Sequence, residues 1–223
     1  DPYNRGHYSL SQMGDNLPVV DLGTGKTAKQ LAAGYYHNCA ILNDNSVKCW
    51  GWGHHGALGY GDTIARGDGP NEMGDNLPVV NLGTGKTAKQ LAAGYFHTCA
   101  ILDDDTLKCW GWGDEGRLGY GDTGGQKNSP PSSTIDLGTG KTAKQIAAGA
   151  SHNCAILNDD TVKCWGNGDD GYTGYGDEND RGDGPNEMGD NLPVVNLGTD
   201  KTAKQLAAGS AHTCAILNDD TIK

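Results

Sequence analysis

The chain has 223 residues, with 36 glycines, a single phenylalanine and 35% hydrophobic residues. That leaves many short strands joined by glycine turns as the way to bury apolar surface, and the ordered placement of Trp, Cys, Leu and Val argues against disorder. Lys and Arg number 17 against 28 Asp and Glu, a net charge of −11, which disfavours nucleic acid and anionic membranes as partners because a polyanion would be repelled across most of the surface.

No apolar run is long enough for a transmembrane helix. The sequence opens at Asp1 without Met or a signal peptide, so a processed chain or a fragment is expected. Leu17 to Leu22 reads as a first short strand, closed by the turn Gly23-Thr24-Gly25-Lys26. Ala28 to Ala33 reads as the next, its Ala-Ala-Gly end suited to a crowded position near a central axis. His37 to Leu42 and Val47 to Trp52 read as a hairpin across Asn43-Asp44-Asn45-Ser46. The unit then repeats: Leu31-Ala32-Ala33-Gly34 returns at 91, 146 and 206, spacings of 60, 55 and 60 residues. Four strands per unit without helical periodicity predict one β-propeller blade per repeat, with the strands before Gly34, Gly94, Gly149 and Gly209 innermost.

Three segments carry a family likeness: His37-Asn38-Cys39-Ala40-Ile41-Leu42, then Val47-Lys48-Cys49-Trp50-Gly51, then Gly56-Ala57-Leu58-Gly59-Tyr60-Gly61-Asp62. Together they resemble the repeat of the regulator of chromosome condensation, and the match recurs at His97 to Asp122 and His152 to Asp177, where Tyr172-Thr173 replaces the usual x-Leu. The resemblance implies an all-β propeller of about seven four-stranded antiparallel blades. Residues 1–223 would then be one partial ring from a longer repeat array, with repeat cores starting near 31, 91, 146 and 206 and incomplete first and last blades. The segment Met13 to Leu22 aligns with Met73 to Leu82, and Lys223 aligns with Lys48.

The cysteines fall as Cys39/Cys49, Cys99/Cys109 and Cys154/Cys164, each pair ten apart across a hairpin, plus the single Cys214. The rival to disulfides is zinc, since His37, His97, His152 and His212 each stand two residues before a Cys. Three ligands per blade leave an open coordination position, and the histidine belongs to the family pattern in members without these cysteines. Three disulfides are therefore expected, with Cys214 unpaired in this fragment because its partner would stand one residue beyond Lys223, at the place matching Cys49, and they imply an extracellular or cell-surface setting. The centre of each pair falls on a residue (Asp44 in the first), so a hairpin loop of three or five residues sets the cysteines directly opposite.

Other motifs read as structure. Gly23-Thr24-Gly25-Lys26-Thr27 resembles the end of a P-loop, but it returns at Gly83 to Thr87 and Gly138 to Thr142, reads Gly198-Thr199-Asp200-Lys201-Thr202 in the last repeat, and has Val20 where the motif needs its first glycine. It is expected to be a turn that binds no nucleotide, with Lys26, Lys86 and Lys141 exposed. Arg66-Gly67-Asp68 and Arg181-Gly182-Asp183, a tripeptide that some integrins read, are expected to be plain turns. Asp62, Asp68, Glu72 and Asp75, with Asp177, Asp183, Glu187 and Asp190, offer hard oxygen donors for calcium. Their spacing matches no EF-hand loop and the second repeat replaces most of the set, so no cofactor is expected.

No catalytic set breaks the repeat. The residues that do break it are His54, His55, Asp114, Glu115, Arg117, Asp169 and Asp170, in one loop region of successive blades, where a partner-facing loop would vary. A non-catalytic scaffold follows, binding other proteins or copies of itself. The alternatives are an exchange factor for a small GTPase, which the acidic charge and paired cysteines oppose, or a secreted enzyme inhibitor.

Overall fold

The computed structural model describes residues 14–122 and 125–223, and their regular structure is strand and short 3-10 turn. The first unit holds β1 (Ala28–Ala33), β2 (His37–Leu42) and β3 (Val47–Gly51), and the second holds β4 (Ala88–Ala93), β5 (His97–Leu102) and β6 (Leu107–Gly111). The third holds β7 (Ala143–Ala148), β8 (His152–Leu157) and β9 (Val162–Gly166), and the fourth β10 (Ala203–Ala208) and β11 (Thr213–Leu217). Each of the first three units is one antiparallel sheet in chain order. The partial blade expected ahead of Gly14 lies outside the described residues.

Three strands in each of the first three sheets, and two in the fourth, stand where four were expected. The segment Leu17 to Leu22 is not a strand, and neither are its later copies. Each copy instead lies along the outer strand of the preceding unit and makes one backbone bond there. Val80 N–H donates to Val47 C=O, Ile135 to Leu107 and Val195 to Val162, all at 2.8 Å.

The rest of that outer edge is satisfied by other means. Cys49 N–H donates to the Tyr60 hydroxyl, which donates back to Cys49 C=O, both at 2.9 Å. Tyr120 and Tyr175 do the same at Cys109 and Cys164. Two residues further on, Gly51 exchanges a pair of backbone bonds with Arg66. A phenol, one bridge and one extended residue thus occupy the place of a fourth strand. Burial pushes the Tyr60 hydroxyl pKa up to about 12, so it keeps the proton it donates. Tyr60→Phe leaves a backbone N–H and C=O without partners and is expected to lower stability by about 1–3 kcal/mol, measured by urea unfolding; a change below about 0.5 kcal/mol would show that water takes the place of the phenol.

The apolar core lies between successive sheets. Cys39, Ile41, Val47 and Cys49 of the first sheet pack on Leu91, Ala100, Leu102 and Trp110 of the second, and the next two junctions repeat the arrangement. The inner strands are β1, β4, β7 and β10, as expected, and residues 33–35, 93–95, 148–150 and 208–210 surround one axial opening. Adjacent inner strands are tied by a glutamine. The Gln30 amide bonds both N–H and C=O of Leu91 at 3.1 and 3.2 Å, Gln90 does so at Ile146, and Gln145 at Leu206.

The glycine of Ala-Ala-Gly is required by space. A Cβ on Gly94 would stand 2.1 Å from the His97 ring and 2.4 Å from the Gly149 carbonyl oxygen. Gly23 to Lys26 is a β-turn closed by Lys26 N–H to Gly23 C=O at 3.0 Å, and a strand follows it. Lys26, Lys86 and Lys141 are half-exposed rather than free, each in an ion pair with Asp44, Asp104 or Asp159 on a hairpin tip.

Candidate binding face

The cysteine pairs sit at the heart of the three three-stranded sheets. Cys39 faces Cys49, Cys99 faces Cys109 and Cys154 faces Cys164 in the strand register, with Cα atoms 4.0–4.1 Å apart and disulfides formed. The outer cysteine's N–H and C=O point to the tyrosine hydroxyl, so the pair is of the narrow, non-hydrogen-bonded kind, slightly closer than the usual 4.5 Å. Leu42 N–H to Ser46 C=O closes a three-residue loop centred on Asp44. Cys214 is exposed and free.

The histidines two residues ahead of these cysteines serve the blade junctions. His37 Nε2 lies 2.8 Å from the Thr98 hydroxyl, which donates to Ala57 C=O; the hydroxyl therefore accepts from His37 Nε2–H. His97 Nε2 donates to Asn153 Oδ1 at 3.0 Å, and Asn153 Nδ2 donates to Arg117 C=O. His152 meets Thr213 at 2.8 Å. Each ring links one unit to the next.

The variable loops form 3-10 turns at His54–Gly56, Asp114–Gly116 and Asp169–Gly171, equivalent in the three units. His55, Glu115 and Asp170 take φ of 60°, 60° and 51°, the left-handed region in which short polar residues are tolerated. Asp114, Asp169 and Asp170 are exposed. Arg117 corrects the expectation: it is only 1% exposed, with its guanidinium 4.5 Å over Trp112, its Nε donating to Asp114 C=O and its Nη2 ion-paired with Glu115. Its neighbours hold it inside the fold, away from partners.

Around these turns lies a feature that sequence reasoning missed. Eight rings from the first two units touch in one continuous cluster: Tyr35, Tyr36, Trp52, His54, His55, Tyr95, Phe96 and Trp112. Tyr35 stacks on Tyr95 at 4.0 Å beside the axial opening, Trp52 stacks on His54 at 4.7 Å, and His55 stacks on Trp112 at 4.7 Å. Tyr35, Tyr36 and Trp52 remain 57%, 50% and 43% exposed. Burial and the adjacent His54 hold the His55 imidazole below its ordinary pKa, so it joins the cluster as a neutral ring. The signal was present in the repeats: Ala150-Ser151 and Ser210-Ala211 replace Tyr35-Tyr36, and Asn167 replaces Trp52.

The carboxylates offered for calcium have partners within the loops. Asp62 holds Arg66 through two bonds, and Asp177 holds Arg181 likewise. Glu72 accepts from the N–H groups of Gly67, Asp68 and Gly69, and Glu187 repeats this at residues 182–184. Asp75 and Asp190 grip Thr24 and Thr139 of the preceding unit's turn. Asp183 lies against Glu187, and burial with this contact raises its pKa. Asp68 sits at the turn that Glu72 organises. Arg66 and Arg181 also lie 4.6 and 4.1 Å over Tyr60 and Tyr175, so neither Arg-Gly-Asp string presents a free guanidinium. Among the described residues no group of three or more His, Cys, Asp or Glu is placed to hold a metal ion, and no helix is long and apolar enough to cross a membrane.

The chain is 35% identical over 135 residues to the ultraviolet-B receptor UVR8 of Arabidopsis thaliana, covering 60% of this chain and 28% of the receptor. It is 29% identical over 175 residues to the human E3 ubiquitin-protein ligase HERC2, covering 78% of this chain but 3% of the ligase. It thus spans less than a third of the curated relatives it matches. Yeast RCC1 (Prp20), in its crystal structure with Kap60, superposes with a TM-score of 0.63 at 21% identity, over 86% of this chain and 42% of that one, a likeness that shows the propeller fold. Two models of the regulator of chromosome condensation (RCC1) repeat match, one at residues 28–57, 88–117 and 143–171, the other at 44–101 and 104–156. With the His, Cys-Trp-Gly and Gly-rich segments recurring on equivalent strands and turns, the chain belongs to the RCC1 repeat family.

Proposed function

We propose that this chain is a non-catalytic protein-binding scaffold of an oxidising compartment, extracellular or at the cell surface, which needs no cofactor and engages its partner through the aromatic face of its first two blades. The observation that carries this reading is the asymmetric cluster around Trp52 and Tyr36. A repeat frame keeps the residues it needs for folding in every copy. Ala150-Ser151 and Ser210-Ala211 stand in the third and fourth units where the first two carry the rings at 35, 36, 95 and 96, and Asn167 stands in the third where they carry Trp52 and Trp112, so the frame does not require these rings. Contiguous exposed aromatic surface on a soluble fold marks interaction sites, and Tyr and Trp are the residues in which binding energy concentrates. The opposite mouth of the axis is lined by Gln, Lys and Asp repeated from unit to unit, as a solvated rim would be. Disulfides at the centre of the three three-stranded sheets support the oxidising compartment.

A photo-crosslinking residue placed at Tyr36 and, separately, at Lys89 on the opposite mouth tests the reading in extracellular fluid from the source of the protein. A discrete protein adduct is expected from position 36, with little from position 89, and it should disappear in Trp52→Ala. Equal labelling from both positions would overturn the assignment of the face. Adducts between copies of the chain would identify the partner as the protein itself.

A further inference from the structure

The rings do not stand alone on their face. Exposed Asp114 follows the second-unit turn past Trp112, and exposed Asp169 and Asp170 occupy the equivalent turn of the third unit. Asp114 lies close enough to His55 to act on its charge, which places a carboxylate beside the stacked His55–Trp112 pair. The Arg117 guanidinium beside the cluster is buried and ion-paired with Glu115, and Asp114 adds to the negative charge around it, so it is not a free surface cation. The two histidine rings of the cluster are stacked on tryptophans.

The face therefore presents aromatic π-systems at its centre and exposed carboxylates along one side, on a chain of net charge −11. An aromatic face is negative at its centre and attracts cations within about 6 Å. Ring faces and carboxylates thus favour the same ligand charge, while acidic and anionic ligands meet repulsion from both. Tyr35 and Tyr95 stand at the axial opening, where the third and fourth units place the small Ala150 and Ser210. Such a surface suits an extended segment laid across the opening.

Resting on the proposed protein-binding role, we propose that this face binds a basic segment of its partner, with Lys or Arg side chains lodged on Trp52, Tyr36 and Tyr35 and answered by Asp114, Asp169 and Asp170. The structure supplies the charge complementarity, and aromatic and acidic groups on one face divide the work. The rings give contact area and the carboxylates steer and orient.

Isothermal titration of the intact chain with a twelve-residue Lys/Arg peptide tests this, beside a Glu counterpart and a neutral oligosaccharide as further probes. Saturable binding of the basic peptide alone is expected. Trp52→Ala with Tyr36→Ala should weaken it at least about tenfold, the scale of a lost aromatic anchor. Asp114→Asn with Asp169→Asn and Asp170→Asn should weaken it about three- to tenfold and flatten its salt dependence. Both sets of residues are at the surface, and thermal melting that matches the parent chain confirms the fold.

Three results would overturn the proposal: binding of the basic peptide that neither set of substitutions alters, which would be diffuse attraction to an acidic chain; equal binding of the Glu peptide; or binding of the oligosaccharide in place of the basic peptide. Loss of the Tyr36 crosslink in Trp52→Ala with no basic-peptide binding would leave the protein-binding role standing and refute the basic partner alone.

Discussion

Replacing Cys99 and Cys109 together by alanine is expected to lower the unfolding free energy by about 2–5 kcal/mol, while Cys214→Ala should change it by no more than about 0.5 kcal/mol. The two effects come from different positions in the same frame. Cys99 and Cys109 are fully buried, face each other across β5 and β6, and sit in the core between the second and third sheets. Their bridge closes a short loop of 10-residue separation, worth about 3 kcal/mol on the chain-entropy model, and alanine also empties core volume. Cys214 is exposed, on a strand β11 that pairs with β10 and, at Ala215 and Ile216, with residues 222–223. Thiol titration checks the pairing without mutation: one reactive thiol in the native protein, and all seven cysteines after denaturation and reduction. Reactive thiols at the paired positions, or zinc bound in stoichiometric amount, would move the protein to a reducing compartment and remove the ground for an extracellular role. The histidines already have other partners in Thr98, Asn153 and Thr213.

The strands that pair within one unit were legible because their signal is local. Ala28–Ala33 and His37–Leu42 form over the residues expected, and the ten-residue cysteine spacing fixed the hairpin's parity on Asp44. The fourth strand was not legible, because what satisfies the outer edge of β3 comes from outside the local pattern. Tyr60 reaches back 11 residues with one hydroxyl, and Val80 belongs to the next unit. A run such as Leu-Pro-Val-Val looks like a strand from its composition, yet it meets its neighbour at a single backbone bond. The binding face was half legible. Loop variation pointed to His54, His55 and Asp114, whereas Arg117 turns inward onto Trp112, a contact between residues five apart that depends on a left-handed turn. The rings at 35, 36, 95 and 96 stand between a glycine and a strand, and only stacking of the units shows that they meet.

Lowering the pH from 7.5 to 5 is expected to destabilise the chain through the histidines at its blade junctions. Burial brings the pKa of His37 down to about 4. Burial, aided by the Arg117 charge and opposed by the Asn153 bond, brings that of His97 down to about 3. Burial and the His212 charge bring that of His152 down to about 4. The direction follows from the bonds: Nε2–H is already donated across each junction, and the buried Nδ1 atoms of His97 and His152 have no partner among the described residues to receive a second proton.

An unfolded chain binds these protons near the ordinary value of about 6.5, so the histidines' contribution is fully present above that pH. It is lost as the pH falls from about 6.5 towards the folded values of 3 to 4. At pH 5 the loss is about 2 kcal/mol for each histidine, at 1.36 kcal/mol per unit. The hairpin-tip carboxylates act in a separate, lower window. Asp104, held down to about 2 by the Lys86 and Thr106 bonds, loses its contribution only below its unfolded value, and as a surface pair it is worth little. Urea midpoints measured between pH 7.5 and 5 should therefore fall steeply in the parent chain. In His97→Gln, which keeps an N–H donor for Asn153 and cannot titrate, the baseline shifts but the slope should drop by about a third. A slope unchanged in His97→Gln would show that the junction histidines accept protons in the folded chain, and that another group carries the acid sensitivity.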